Sequence, residues 1–168
     1  LKKGYELWQD GFPSTFAVVG EKGSGKSLFL RLLEKEILDD HQKIEINFQD
    51  TVWKPEDVLP QISRALKLDE ELGVEELAEA IQRKRKRVII FLENIQNCYI
   101  RSLDGFDALE QMMFLISETS KNILWVVSST RYGWKYLGNV LSITDYFTHI
   151  AQTDELTEAQ IKELVLKR

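Results

Sequence analysis

Gly20-Glu21-Lys22-Gly23-Ser24-Gly25-Lys26-Ser27 is the stretch on which the reading of this 168-residue chain turns. Three of the chain's nine glycines fall in these eight positions, which marks a specialised segment and not an ordinary turn. Glycine takes φ > 0 without a Cβ penalty and lets backbone come close to a ligand. Successive N–H groups in such a loop form an anion nest, and a helix opening at its end adds the positive end of its dipole. Lys26 is placed to reach the β- and γ-phosphates of a nucleotide, and the Ser27 hydroxyl is a ligand type suited to Mg²⁺. The nucleotide-contacting set is therefore Gly20, Glu21, Lys22, Gly23, Ser24, Gly25, Lys26 and Ser27 with the adjoining Leu28.

The surroundings agree with that reading. Thr15–Val19 is a short apolar strand before the loop, and a helix is expected from about Gly25 to Leu38, with Leu28, Leu32 and Leu33 toward the sheet. Further along, Ile44–Phe48 alternates at period two, as in a strand near a sheet edge. Asp57–Leu68 and Val74–Arg85 read as helices, and Pro55 sits where a helix start tolerates it. Val88-Ile89-Ile90-Phe91-Leu92 is wholly apolar, as a central parallel strand covered on both faces should be. A helix through Phe106, Leu109, Met112, Met113 and Ile116 follows, then a buried strand Ile123–Val127 ending in Ser128-Ser129-Thr130-Arg131. A short helix at Trp134–Leu141 and a last strand at Phe147–Ala151 complete the alternation. Alternating strands and helices imply right-handed βαβ units, hence an α/β fold of three layers with a parallel β-sheet of about five strands flanked by helices.

Composition excludes several classes. Hydrophobic residues make up 43% and charged residues 29%, an ordinary globular balance and not a disordered one. With 22 basic and 27 acidic side chains the formal net charge is −5, which argues against nucleic acid as a partner. A single cysteine, Cys98, allows no internal disulfide and points to a reducing, cytoplasmic setting. No apolar run approaches the roughly 18–20 residues that a membrane helix needs. The basic run Arg83-Lys84-Arg85-Lys86-Arg87 suits the solvated C-terminal turn of a helix, where cations complement the dipole. His41 and His149 have no partner at metal-ligand spacing.

The chain starts without Met, and Thr157-Glu158-Ala159-Gln160 reads as a capping box opening a helix with no stop signal before Arg168. The expectation is an excised domain: a nucleotide-binding core over 1–155, then 156–168 as the first helix of a truncated lid or following domain, within a parent protein that could be membrane-associated.

The eight-residue loop fits GxxxxGK[ST] without a mismatch. With the strand before it and the helix after it, the chain resembles the P-loop NTPases that carry a Walker A motif, over nearly its whole length. Within them it resembles the ASCE division, and AAA+ and STAND ATPase domains in particular. That resemblance implies ATP and Mg²⁺ as cofactors and a carboxylate at the end of a buried strand. Glu93, the first acid after Val88–Leu92, takes the Walker B position and would hold Mg²⁺ together with Ser27. An alternative register makes Leu92 the replaced acid and Glu93 the catalytic glutamate.

In the first register Asn94 falls where the ASCE group carries its general base. An amide orients water but does not accept its proton at neutral pH. Either Glu93 serves as both ligand and base, or hydrolysis is slow and the domain is a nucleotide switch. By the same resemblance, Ser128 or Ser129 would contact the γ-phosphate or attacking water, and Arg131 would sense γ-phosphate charge. The catalytic set is then Lys26, Glu93, Asn94, Ser129 and Arg131.

The function implied is ATP binding with Mg-dependent hydrolysis, as a motor or conformational switch in a larger protein. A binding module with little hydrolysis and a small P-loop kinase are the alternatives. Absence of an NKxD segment argues against a GTPase, and absence of LSGGQ against an ABC-type ATPase. Protein partners, further domains of the parent and a homo-oligomer are all compatible with this reading. Trp8 or Phe12, just before the first strand, are candidates to rest against the base.

Overall fold

The computed structural model describes residues 1–36, 41–84 and 86–153. Five strands, β1 (Thr15–Gly20), β2 (Gln42–Asn47), β3 (Val88–Glu93), β4 (Ile123–Ser129) and β5 (His149–Thr153), form one sheet in the order β2-β3-β4-β1-β5. Every neighbouring pair is parallel. The β1–β4 register sets Val18 opposite Ser128 and Val19 opposite Ser129. All six residues of β1 and all seven of β4 are buried, as parallel strands with helices on both faces require.

Period-two alternation sorts the strand residues onto two apolar cores. One face carries Phe16, Val18, Ile89, Phe91, Leu124 and Val126 against helices α1 (Lys2–Gln9) and α2 (Lys26–Glu36). The other carries Val19, Ile90, Leu92, Trp125 and Val127 against α3 (Pro55–Ala65), α4 (Val74–Arg83), α5 (Asp107–Thr119) and α6 (Arg131–Leu141). Each fully buried large apolar side chain contributes about 1.5–3 kcal/mol, so both helical layers are held chiefly by burial. A large polar side chain buried in this core is satisfied: Trp125 Nε1 donates to Thr119 Oγ1 at 3.0 Å, and that hydroxyl donates to Leu115 O at 2.6 Å.

Several expectations change in detail. In α2 it is Leu30 and Leu33 that face the sheet, while Leu28 and Leu32 are 59% and 47% exposed. The cause is helical phase. Lys26 must turn under the loop, and the positions that share its side are i+4 and i+7, which are residues 30 and 33. Helix α1 was not foreseen, and it buries Trp8 completely against Tyr5 and His41. Trp8 is thus a core residue and not a surface for a base, while Phe12 stays 58% exposed. The boundary expected after residue 155 and the helix expected from Thr157 lie outside the described residues, as do residues 37 and 38 of the helix expected to run to Leu38.

The basic run does more than end a helix. Lys84 Nζ donates to Leu66 O at 2.8 Å and Lys67 O at 3.2 Å, closing the carbonyl end of α3. Lys86 Nζ donates to Gln42 Oε1 at 2.8 Å, and Arg87 donates to Gln9 O at 2.6 Å beside the Trp8 ring. These cations tie three elements to the start of β3. Among the described residues no helix is long and apolar enough to cross a membrane.

Candidate nucleotide site

The loop between β1 and α2 has the backbone that its glycines were expected to provide. Gly23 and Gly25 lie at φ +85° and +84°, and a Cβ built on either meets nothing within 4 Å. The space beside these two residues is therefore open, and an L side chain would strain the turn without filling it. Ser24 Oγ and Thr153 Oγ1 stand 2.6 Å apart, which fastens the loop to the end of β5. Lys26 folds back onto its own loop, donating to Gly20 O at 2.8 Å and Glu21 O at 2.7 Å. Burial lowers the pKa of this ammonium, and the Glu21 and Glu93 carboxylates oppose that shift. A triphosphate offers the same ammonium a far better acceptor than two peptide carbonyls.

Glu93 closes β3 on the α2 face, by alternation with Ile89 and Phe91. Ser27 Oγ donates to Glu93 Oε2 at 3.3 Å, bringing together two residues 66 positions apart. They border a polar cavity of about 200 Å³ shared with Arg31, Glu45 and Asn47. Leu92 points into the opposite core and is fully buried, so an acid at that position would stand away from the loop. Among the described residues no three His, Cys, Asp or Glu side chains converge to hold a metal. A hydroxyl with one carboxylate nevertheless suits Mg²⁺, which keeps several waters and borrows phosphate oxygens.

Asn94 sits at φ +63°, a left-handed conformation that asparagine tolerates better than most residues. Its backbone N–H donates to Ser128 Oγ at 3.2 Å. Its side-chain amide donates to Asn47 Oδ1 at 2.9 Å and accepts from Gln96 Nε2 at 3.1 Å. Gln96 Oε1 in turn accepts the Thr130 N–H at 3.2 Å. A continuous polar chain thus joins the ends of β2, β3 and β4. Asn47 and Gln96 were not foreseen. The available signals were the polar end of an alternating strand and an amide two positions past Asn94, both common on protein surfaces.

The sensor residues divide between the two faces. Ser128 follows Val126 in alternation and shares the Glu93 side of the sheet, whereas Ser129 follows Val127 to the other side. Ser129 Oγ donates to Thr130 O at 3.2 Å and is fully buried, so its hydroxyl does not face the loop. Ser128 is the serine on the site face. Arg131 opens α6, with Nε 3.9 Å from Glu21 Oε1. Both side chains are about half exposed, and a pair of this kind contributes little to stability. Its meaning is positional: it sets a guanidinium beside the loop. Thr130 caps the same helix, accepting the Gly133 N–H at 3.1 Å. Lys22 and Leu28 lie at the surface next to the loop. Cys98 is buried, which pushes its thiol pKa up and makes it a packed side chain, not a nucleophile.

A family model described as AAA domain matches residues 13–134, and the chain belongs to that family, whose members are ATP-binding P-loop domains. No curated protein matches the chain in sequence. Among solved structures it is similar to the ORC1 protein of Aeropyrum pernix in complex with DNA, at 18% identity and a TM-score of 0.70, covering 99% of this chain and 46% of that one. The Cdc6p of Pyrobaculum aerophilum is similar at 19% identity and a TM-score of 0.68, over 98% of this chain and 46% of that one. The Aeropyrum pernix ORC2 protein, solved with ADPNP and ADP, reaches a TM-score of 0.72 at 10% identity, over 99% and 49%. The chain thus spans about half the length of these structures. At such identities the likeness is one of fold. It lends no support to the expectation that the net charge argues against nucleic acid as a partner.

Proposed function

We propose that this AAA domain takes up ATP with Mg²⁺ and hydrolyses it slowly, serving as a nucleotide-driven conformational switch within a larger protein. The observation that carries this reading is the Ser27–Glu93 contact of 3.3 Å beside the open Gly23–Gly25 turn. In this proposal the loop amides and the Lys26 ammonium hold the β- and γ-phosphates, and Ser27 and Glu93 would hold the divalent ion. That ion, when bound, neutralises phosphate charge.

Asn94 is what slows the hydrolytic step. A general base contributes typically 10²–10⁴-fold to rate, and an amide supplies none of it. Here the amide is also engaged on both sides, by Asn47 and by Gln96. Lys26 must leave Gly20 O and Glu21 O to meet a phosphate, which frees two carbonyls of the loop. Ser24 and Thr153 connect that rearrangement to β5, the strand after which residues 154–168 continue. A lid in that last segment, further domains and a homo-oligomeric assembly remain part of the proposal, with Arg131 available to the γ-phosphate in any of them.

Phosphate release measured by malachite green provides the test. The protein should turn over ATP slowly, Lys26→Ala should abolish release, and Asn94→Glu should raise it by about tenfold or more. Equal release from Lys26→Ala and the unaltered protein would refute hydrolysis at this site. A small phosphotransferase is the second reading. It would show as phosphate transfer to an acceptor in place of release.

A further inference from the structure

Far from the phosphate loop, the starts of β2 and β3 meet the ends of α3 and α4 around a cavity of about 280 Å³. Its floor is apolar, formed by Ile44, Leu68, Ile81 and Val88. Its rim carries the ammonium groups of Lys67, Lys84 and Lys86. Two of these are held in place, Lys84 by the Leu66 and Lys67 carbonyls and Lys86 by Gln42 Oε1. An ammonium has three N–H donors, so these bonds fix position and leave donor capacity. Lys67 itself lies at φ +56°, in the left-handed region, at the rim of the cavity. The cavity opens beside β2, which is an edge strand among the described residues and so has a row of backbone groups no other strand pairs.

We propose that this cavity is the docking site for an acidic peptide segment of a partner protein. The segment runs along the β2 edge, seats one aromatic or aliphatic side chain over Ile44 and Ile81, and sets carboxylates against Lys67, Lys84 and Lys86. Charge complementarity selects the acidic partner. The chain as a whole carries a net charge of −5, yet this cavity gathers Lys67, Lys84 and Lys86 with no acidic side chain among the described residues of its lining. The apolar floor favours a peptide, because a peptide strand pairing with the β2 edge places one side chain over Ile44 and Ile81 while its neighbours present carboxylates to the lysines. Backbone pairing along an edge with one pocketed side chain is a recurring mode of peptide capture. Nothing in this site depends on nucleotide.

The test is fluorescence anisotropy with a fluorescein-labelled acidic peptide of alternating Glu and Asp around one central Phe. Saturable binding is expected, weakened at least tenfold by Lys67→Glu with Lys86→Glu, and equally by exchanging the peptide's Phe for Ala. Mg-ATP uptake by the Lys86→Glu variant should be unchanged. Ala65→Phe, which fills the cavity without altering charge, gives an independent loss of binding if the charge reversals fail to fold. Peptide binding indifferent to these changes would overturn the proposal. So would binding confined to octanoate, to anionic phosphatidylserine vesicles or to a single-stranded oligonucleotide.

Discussion

The phosphate loop and the corner after β3 lie at the same end of the sheet, yet they are built on different terms. The loop keeps every group that phosphate binding needs: two left-handed glycines over open space, an ammonium, and a hydroxyl at the start of a helix. The corner carries an acid, Glu93, in contact with Ser27, but follows it with an amide held in a chain running from Asn47 through Asn94 and Gln96 to Thr130. One region is arranged to bind, and the other to hold still. In the proposed function, that contrast separates nucleotide uptake from nucleotide turnover.

The largest effect is expected where the two candidate registers of the corner differ. Leu92→Asp buries a carboxylate in the core opposite the loop and should destabilise the protein by about 4 kcal/mol or more in urea unfolding. Glu93→Gln, at the partly buried neighbouring position, should stay within about 1 kcal/mol of the parent while losing the Mg²⁺ dependence of nucleotide binding. If the two variants were equally stable, the assignment of faces would be wrong. Next comes the loop. Lys26→Ala removes a charge-assisted contact and should weaken ATP by about 10- to 100-fold in equilibrium titration, with unfolding little changed.

A smaller effect is expected in the amide chain. Gln96→Ala removes the acceptor of the Thr130 N–H and the donor to Asn94, and should cost about 1 kcal/mol of stability without altering ATP affinity. A fall in affinity matching that of Lys26→Ala would erase the distinction between the two regions. The smallest is a pH effect. The Lys26 pKa is lowered by burial, so its charge is present at low pH and lost as pH rises through a range below that of an ordinary lysine. ATP affinity should therefore decline with rising alkalinity earlier than a free lysine would dictate, and Lys26→Arg should remove that decline. A flat profile in the unaltered protein would contradict the shift.

How much of this was legible in the residues follows from how local each signal is. The loop could be read because GxxxxGK[ST] needs only eight consecutive residues, and the central strands because burial on both faces leaves an apolar run such as Val88–Leu92. The phase of α2 was misread because Leu28, Leu30, Leu32 and Leu33 offer apolar residues on every side. Only the requirement that Lys26 turn inward selects Leu30 and Leu33. Helix α1 was missed since its eight residues have no side-chain cap and gain stability from Tyr5 and Trp8 meeting the sheet, a tertiary effect. Ser128 and Ser129 look alike in the sequence until the strand's alternation is anchored by Val126 and Val127. The Asn47–Asn94–Gln96 chain joins three separate strand ends, and sequence spacing holds no trace of it.

The central claim is that residues 20–27 with Glu93 form a working Mg-nucleotide site. Isothermal titration calorimetry of ATP into the folded protein, with Mg²⁺ and with EDTA, addresses it most directly. One saturable site is expected, weakened by chelation and by Lys26→Ala. Heats identical to buffer dilution in the presence of Mg²⁺, or an isotherm that Lys26→Ala leaves untouched, would contradict it.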